Sequence, residues 1–230
     1  MSNESHKRIE VWSDIACPWC WVGKKNLEAA MAGFEGQVEV VWRAFELDPQ
    51  APAASPDPVD YVERLASKYR MSRQEAQAFI DRMTAAGREK GVEIRFDRIR
   101  PCNTFNAHRL LSWAKDFGLQ DALKERLFLA YMNEGQDVGD ASTLARLASE
   151  VGLEAAGAAE LLGSDAHRDE VLEDLTRARE LGVTGVPFFY FGPGLTAVGA
   201  QPPAMLRNAL LSAPSSEVSV ASCTVEGCTD

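Results

Sequence analysis

The sequence has no apolar run approaching the length of a membrane-spanning helix, which argues against a helical membrane protein. Positive charge is in deficit: 24 Lys and Arg stand against 34 Asp and Glu, for a net charge of −10. Nucleic acid and anionic membrane are therefore poor main partners. No internal repeat is visible, and the polar start Met1–Lys7 lacks the apolar core of a secretory signal. That start leads to the expectation of a cytoplasmic location. Cysteine is scarce, with five in 230 residues. In a reducing compartment so few thiols suit catalysis or sensing better than a structural disulfide framework.

Two of the five sit in Cys17-Pro18-Trp19-Cys20. A strand-like run, Arg8–Trp12, leads into this motif, and an amphipathic segment with Leu27, Ala30, Met31 and Phe34 on one face follows it. The pattern predicts strand, CxxC and helix in succession, the context in which a common spacing becomes informative. Two cysteines one helical turn apart are close enough to bridge. Cys17 falls at the cap position and Pro18 at the first helical position, where its missing N–H costs nothing. Free N–H groups and the positive end of the helix dipole are then expected to face the Cys17 sulfur and lower its pKa. On this reading Cys17 is the nucleophile and Cys20, one turn deeper, the resolving thiol. Two other readings stand beside it: a zinc half-site, for which the second pair, Cys223 and Cys228, lies at the far end of the chain, and two inert buried thiols.

Apolar residues make up 46% of the chain and charged residues 25%, enough for a full core at this length. Residues 38–45 alternate as a second strand, closed by Leu47-Asp48-Pro49 and a Pro/Ala/Ser-rich loop over residues 50–58. The pattern then predicts helices over 60–69, 72–90, 104–117, 119–133, 142–151 and 165–181, with Ser72 and Glu75 as a capping box, Ser142 as a cap and Gly182 as a stop. Strand character returns at 187–191 and 195–198, with Gly192-Pro193-Gly194 between them as a hairpin turn, and a helix over 202–211 closes the fold. Strand–helix–strand, a helical block, then strand–strand–helix describes a central sheet with an all-helical insertion.

These pieces together resemble the thioredoxin-fold DsbA family, and within it the FrnE-like cytoplasmic branch. The likeness runs from about Arg8 to Leu211. It rests on Ser13-Asp14 before the CPWC motif, Trp21-Val22-Gly23-Lys24 after it, Phe45-Glu46-Leu47-Asp48-Pro49, Asn103-Thr104, Ala107-His108-Arg109-Leu110, Thr184-Gly185-Val186-Pro187-Phe188-Phe189 and Val198-Gly199-Ala200-Gln201-Pro202. The resemblance implies an α/β thioredoxin fold with an inserted all-helical domain: a discontinuous thioredoxin-like domain at 7–50 and 183–212, the insertion at 57–182, and a tail at 213–230. It implies a protein disulfide oxidoreductase or isomerase that works through Cys17 and Cys20, without organic cofactor or metal. Pro18 and Trp19 support the site. Pro187 is expected to be the cis-proline beside the thiols, with the Val186 backbone offered to an extended substrate. A plain strand-initiating proline is the simpler reading of Pro187. The expected partners are substrate proteins with thiols or disulfides and a small-molecule or protein recycling partner. A neighbouring possibility is a glutathione-dependent isomerase or transferase of the kappa or 2-hydroxychromene-2-carboxylate type, whose members carry serine where this chain has Cys17.

Cys223 and Cys228 fall outside that pattern. Gly227 permits a turn within which this pair could close, which makes it a candidate second redox couple exchanging electrons with Cys17–Cys20; the alternative is a disordered tail with two incidental thiols. Cys102 is expected to be structural or incidental, and His108 to be packed or exposed. Asp14 and Glu46 are either tuners of the thiols, proton shuttles to Cys20, or ordinary loop and strand-edge carboxylates.

Overall fold

Strand β1 (Lys7–Ser13) and helix α1 (Pro18–Met31) are joined by the four residues that deliver Cys17 to the helix start. The computed structural model describes residues 6–34, 37–55 and 57–215; Cys223 and Cys228 lie outside them. Strand β2 (Val38–Ala44) runs parallel to β1, pairing Lys7 with Val38 through Ser13 with Ala44. Strands β3 (Phe188–Gly192) and β4 (Leu195–Val198) complete the sheet in the order β2-β1-β3-β4, with β3 antiparallel to both neighbours. The Pro193–Gly194 turn joins them, next to a register shift between Tyr190 and Gly192.

Alternation along the strands divides the core. Ile9, Val11, Phe189 and Phe191 pack with Leu27 and Ala30 of α1 and with Leu206 and Leu210 of α9 (Pro203–Ser212). Trp12 and Phe188 face the other way, into a larger cluster shared with the helices between β2 and β3. Those helices are α2 (Tyr61–Tyr69), α3 (Arg73–Glu89), α4 (Phe105–Lys115), α5 (Gln120–Leu129), α6 (Ala141–Glu150), α7 (Ala155–Leu162) and α8 (Arg168–Glu180). A π-helical turn, Ala130–Glu134, extends α5.

The helical block is tied to the sheet by side chains that stand in for a missing strand. The outer edge of β2 would leave backbone groups unpaired. Gln120 of α5 accepts from Trp42 N and donates to Trp42 O, both at 3.0 Å. Asp174 of α8 accepts from Ala44 N at 2.9 Å and pairs with Arg43. This clamp fixes α5 and α8 against the strand next to β1, and so against the CxxC loop.

The capping box at Ser72 and Glu75 forms as expected. Ser142 does not cap α6: Asp140 does, its carboxylate accepting from Thr143 N at 2.8 Å, and the helix begins at Ala141. Helix α7 lies in a stretch that the periodicity left unassigned, because its Ala-Ala-Gly-Ala-Ala run carries little apolar patterning. Helix α8 starts at Arg168, three residues later than expected, after His167 takes a left-handed conformation at φ 57°. Gly182, at φ 69°, stops it.

Candidate active site

Cys17 caps α1 with extended backbone (φ −99°, ψ 110°), and Pro18 opens the helix. Cys20 N donates to Cys17 O at 3.0 Å, so the two cysteines span one turn. Both are free thiols, Cys17 4% exposed and Cys20 fully buried. Trp21 locks the next position, stacking on Phe128 of α5 and donating to Glu125 at 3.0 Å. Trp19 is half-buried and lines the cleft in front of Cys17, so it belongs to the rim and Trp21 to the core.

The Val186–Pro187 peptide is cis, the isomer that the resemblance implies. Val186 O lies 3.5 Å from Cys17 Sγ and accepts its thiol hydrogen. Pro187 is pressed against α1 at Gly23, where a Cβ would come within 2.7 Å of Pro187 Cγ. Gly199 N donates to Pro187 O at 2.8 Å, fixing the segment from the β4 side.

A cleft of about 270 Å³ opens at Cys17. Tyr61, Tyr69, Phe79 and Met83 give it an apolar wall, and Arg64 and Lys68 of α2 bring positive charge to its edge. Arg64 is held by Asp48 at 2.7 Å, and Lys68 donates to Leu47 O. Backbone from Thr184 to Val186 forms the opposite side.

The electrostatics of Cys17 differ from the local expectation. The Cys17 side chain makes no capping hydrogen bond, and the backbone N–H of Cys20 lowers its thiol only in part. Its hydrogen bonding with Cys20, its burial and the charge of Asp14 hold the thiol well above the ordinary value, and the Val186 carbonyl further favours the protonated form. Of the groups that oppose the helix terminus, Cys20 belongs to α1 and Asp14 to the loop before it, and only the Val186 carbonyl comes from a distant segment. Alkylation of Cys17 in the reduced protein is therefore expected to keep accelerating beyond pH 9.0, the ordinary thiol midpoint. A rate that levels off by pH 7, followed by mass spectrometry of the Cys17 peptide, would contradict this.

Asp14 is 1% exposed and accepts from Thr104 Oγ1 at 2.8 Å, Leu47 N at 2.7 Å and Ala16 N at 3.2 Å. Burial alone would raise its carboxyl, but His108 and the two N–H groups outweigh burial and bring it below the usual range. An acid held ionised in this way is a poor proton acceptor, so Asp14 ties the loop before Cys17 and contributes fixed negative charge. Glu46, half-buried and bonded to Asn103 at 3.0 Å, is raised chiefly by burial. His108 is packed, with Nε2 3.0 Å from Phe45 O. Cys102 lines the same cleft, its thiol pushed up to about 12 mainly by burial, which makes it inert at neutral pH.

The residue that sequence reasoning passed over is Lys124. It is fully buried on α5 behind the motif. Gln120, Leu123, Lys124 and Leu127 share the i, i+3, i+4, i+7 stripe, and that spacing was the signal that could have found it.

A capping CxxC beside a cis X-Pro segment, on a sheet ordered β2-β1-β3-β4 with a helical insertion, defines a thioredoxin-fold protein of the DsbA-like kind. The sequence profile of the DSBA-like thioredoxin domain matches residues 8–211, and the chain belongs to that family of oxidoreductases. It is 34% identical over 186 residues to the uncharacterized protein YwbO of Bacillus subtilis (strain 168), covering 80% of this chain and 86% of that protein. The crystal structure of the probable DsbA oxidoreductase SCO1869 from Streptomyces coelicolor superposes with a TM-score of 0.84 at 37% identity, over 98% of this chain and 99% of that one. The cytosolic disulfide reductase DsbM from Pseudomonas aeruginosa, in its structure with GSH, shares the fold at a TM-score of 0.61 and 19% identity, over 89% and 98% of the two chains.

Proposed function

We propose that this chain is a thiol–disulfide oxidoreductase acting on protein disulfides, with Cys17 as the exchanging sulfur and Cys20 as the resolving one. One observation carries the reading. The Cys17 sulfur stands at the mouth of the 270 Å³ cleft, 3.5 Å from the Val186 carbonyl, with Cys20 sealed one turn behind it. An extended segment laid along Thr184–Val186, held by main-chain bonds with little sequence preference, brings its disulfide to Cys17.

In the reducing direction the Cys17 thiolate attacks one substrate sulfur, the substrate S–S bond breaks, and the other sulfur leaves as a thiolate. Cys20, as a thiolate, then attacks Cys17 Sγ; the mixed disulfide breaks and the Cys17–Cys20 disulfide forms. Two electrons pass to the substrate, and its two thiolates take up the two protons the dithiol lost. Run backward, the same steps oxidise a dithiol. A Cys17 held protonated stabilises the reduced form less than an ionised one does, which favours the reducing direction at neutral pH.

The recycling partner in this reading is a glutathione-type thiol. The DsbM structure with GSH supports that choice, and Arg64 and Lys68 at the cleft edge suit the carboxylates of a small peptide thiol. A cytoplasmic location and membership of the FrnE-like branch belong to the same reading. Cys223 and Cys228 form a second couple fed by the first. The redox state of this pair is expected to lag in Cys17→Ser during recovery from oxidation, and a tail that responds identically with and without Cys17 defeats the relay.

Insulin reduction with glutathione as electron source, run beside glutathione conjugation to an aryl halide, tests the function. Turnover of insulin that depends on both Cys17 and Cys20 is expected. Conjugation without disulfide turnover would instead support the kappa-type transferase or isomerase reading.

A further inference from the structure

Two lysines are buried beside the motif, and they are treated differently. Lys24 of α1 pairs with three carboxylates, those of Glu28, Asp121 and Glu125. Lys124 of α5 has no carboxylate partner among the described residues. Its Nζ donates to Ser13 O at 3.4 Å and stands over the rings of Phe128 and Trp42, 5.1 and 5.7 Å from their centroids. A buried ammonium with so little compensation costs stability. Burial drives its pKa down to about 8, and the charge that opposes this drop most strongly is Cys20, ahead of Asp14 and Cys17.

The position is as informative as the charge. Ser13 ends β1, four residues before Cys17, and Phe128 is the ring on which Trp21, the neighbour of Cys20, stacks. Lys124 therefore approaches the motif through residues that do not line the substrate cleft. It also lines a second cavity of about 100 Å³ at the β2 edge. The groups facing it on the motif side are Cys20, Cys17, Asp14 and Lys24. Across the cavity they are Arg43 of β2, His108 and Lys115 of α4, and Glu170, Glu173 and Asp174 of α8.

Once Cys17 is tied up in a mixed disulfide, the reaction needs a thiolate at Cys20, which is fully buried. We propose that Lys124 supplies the positive charge that stabilises the Cys20 thiolate as it resolves the mixed disulfide on Cys17. The inference rests on the disulfide-exchange reading above. Lys124 keeps its proton throughout. Only the sulfur–sulfur bond changes: the bond from Cys17 to substrate breaks, the bond from Cys17 to Cys20 forms, and the substrate thiolate departs.

The test mixes reduced protein with a model peptide disulfide, quenches with acid at intervals, and separates mixed disulfide from Cys17–Cys20 disulfide by mass spectrometry. Lys124→Met keeps the apolar stem and removes the charge. It is expected to form the mixed disulfide at the wild-type rate and to resolve it about tenfold more slowly at pH 7, the effect of one unit on a thiolate. The gap should close above about pH 8, where wild-type Lys124 itself loses its charge. Lys124→Arg should restore most of the rate, and denaturation of Lys124→Met should need more denaturant than wild type.

Equal resolution rates in wild type and Lys124→Met across the pH range overturn the proposal, as does a slowing that is the same at every pH. Absence of mixed disulfide in all variants would instead overturn the functional reading.

Discussion

Cys17→Ser is expected to abolish disulfide turnover, by about four orders of magnitude or more, the scale on which removing the nucleophile of a catalytic unit acts. The loss should not be a folding effect. Cys17 is 4% exposed and its polar contacts are Cys20 and the Val186 carbonyl, to which a serine hydroxyl can also hydrogen-bond. The thermal midpoint should therefore stay close to wild type while insulin reduction disappears. Cys20→Ser should fail differently. With Cys17 intact, the first exchange proceeds and the mixed disulfide persists, so the variant should be recovered covalently joined to its substrates. If Cys20→Ser turned over at the wild-type rate, Cys17 would be working alone, and the resolving role of Cys20 would be wrong.

The second large effect is expected at Gly23, a position that carries no reactive group. In an ordinary helix interior, Gly to Ala stabilises by about 1 kcal/mol. Here the added methyl would lie 2.7 Å from Pro187 Cγ and 3.5 Å from Phe189 Cζ. Overpacking of this kind costs about 1–3 kcal/mol, more than the helix gains. The clash also falls on the contact that sets the distance between α1 and the Val186–Pro187 segment. Gly23→Ala should lower the denaturation midpoint and reduce kcat/KM for a protein disulfide by roughly tenfold or more at a temperature where both proteins are folded, since small misplacements of reacting groups are costly. A stabilised, fully active Gly23→Ala would show that α1 and Pro187 are not held in contact.

Much of this arrangement is legible in the sequence because it is local. Pro18 marks the start of α1, alternation marks a strand over 38–45 that the structure ends at Ala44, and Ser72 with Glu75 marks the start of α3. Other features depend on residues distant in the chain. Pro187 lies 170 positions after Cys17, and only the resemblance joined the two. Asp140 and Ser142 are both plausible caps; the carboxylate's bond to Thr143 N decides between them. Lys124 sits in a Lys-Glu-Arg run that suggests a solvated helix face, whereas the stripe with Gln120, Leu123 and Leu127 turns it inward. The acidity of Cys17 is only partly legible. Cys20 and Asp14 are its neighbours in sequence, but the burial that raises the thiol and the Val186 carbonyl 3.5 Å from it come only with the fold.

The most direct measurement of whether Cys17 and Cys20 work as one redox couple is equilibration in a graded glutathione redox series, with acid quenching and mass spectrometry of the Cys17 and Cys20 peptides. The expected result is a single two-electron transition in which both thiols are lost together and the residues appear in one disulfide-linked species, absent from Cys20→Ser. A stable glutathione adduct on Cys17, with Cys20 remaining reduced across the whole series, would contradict it.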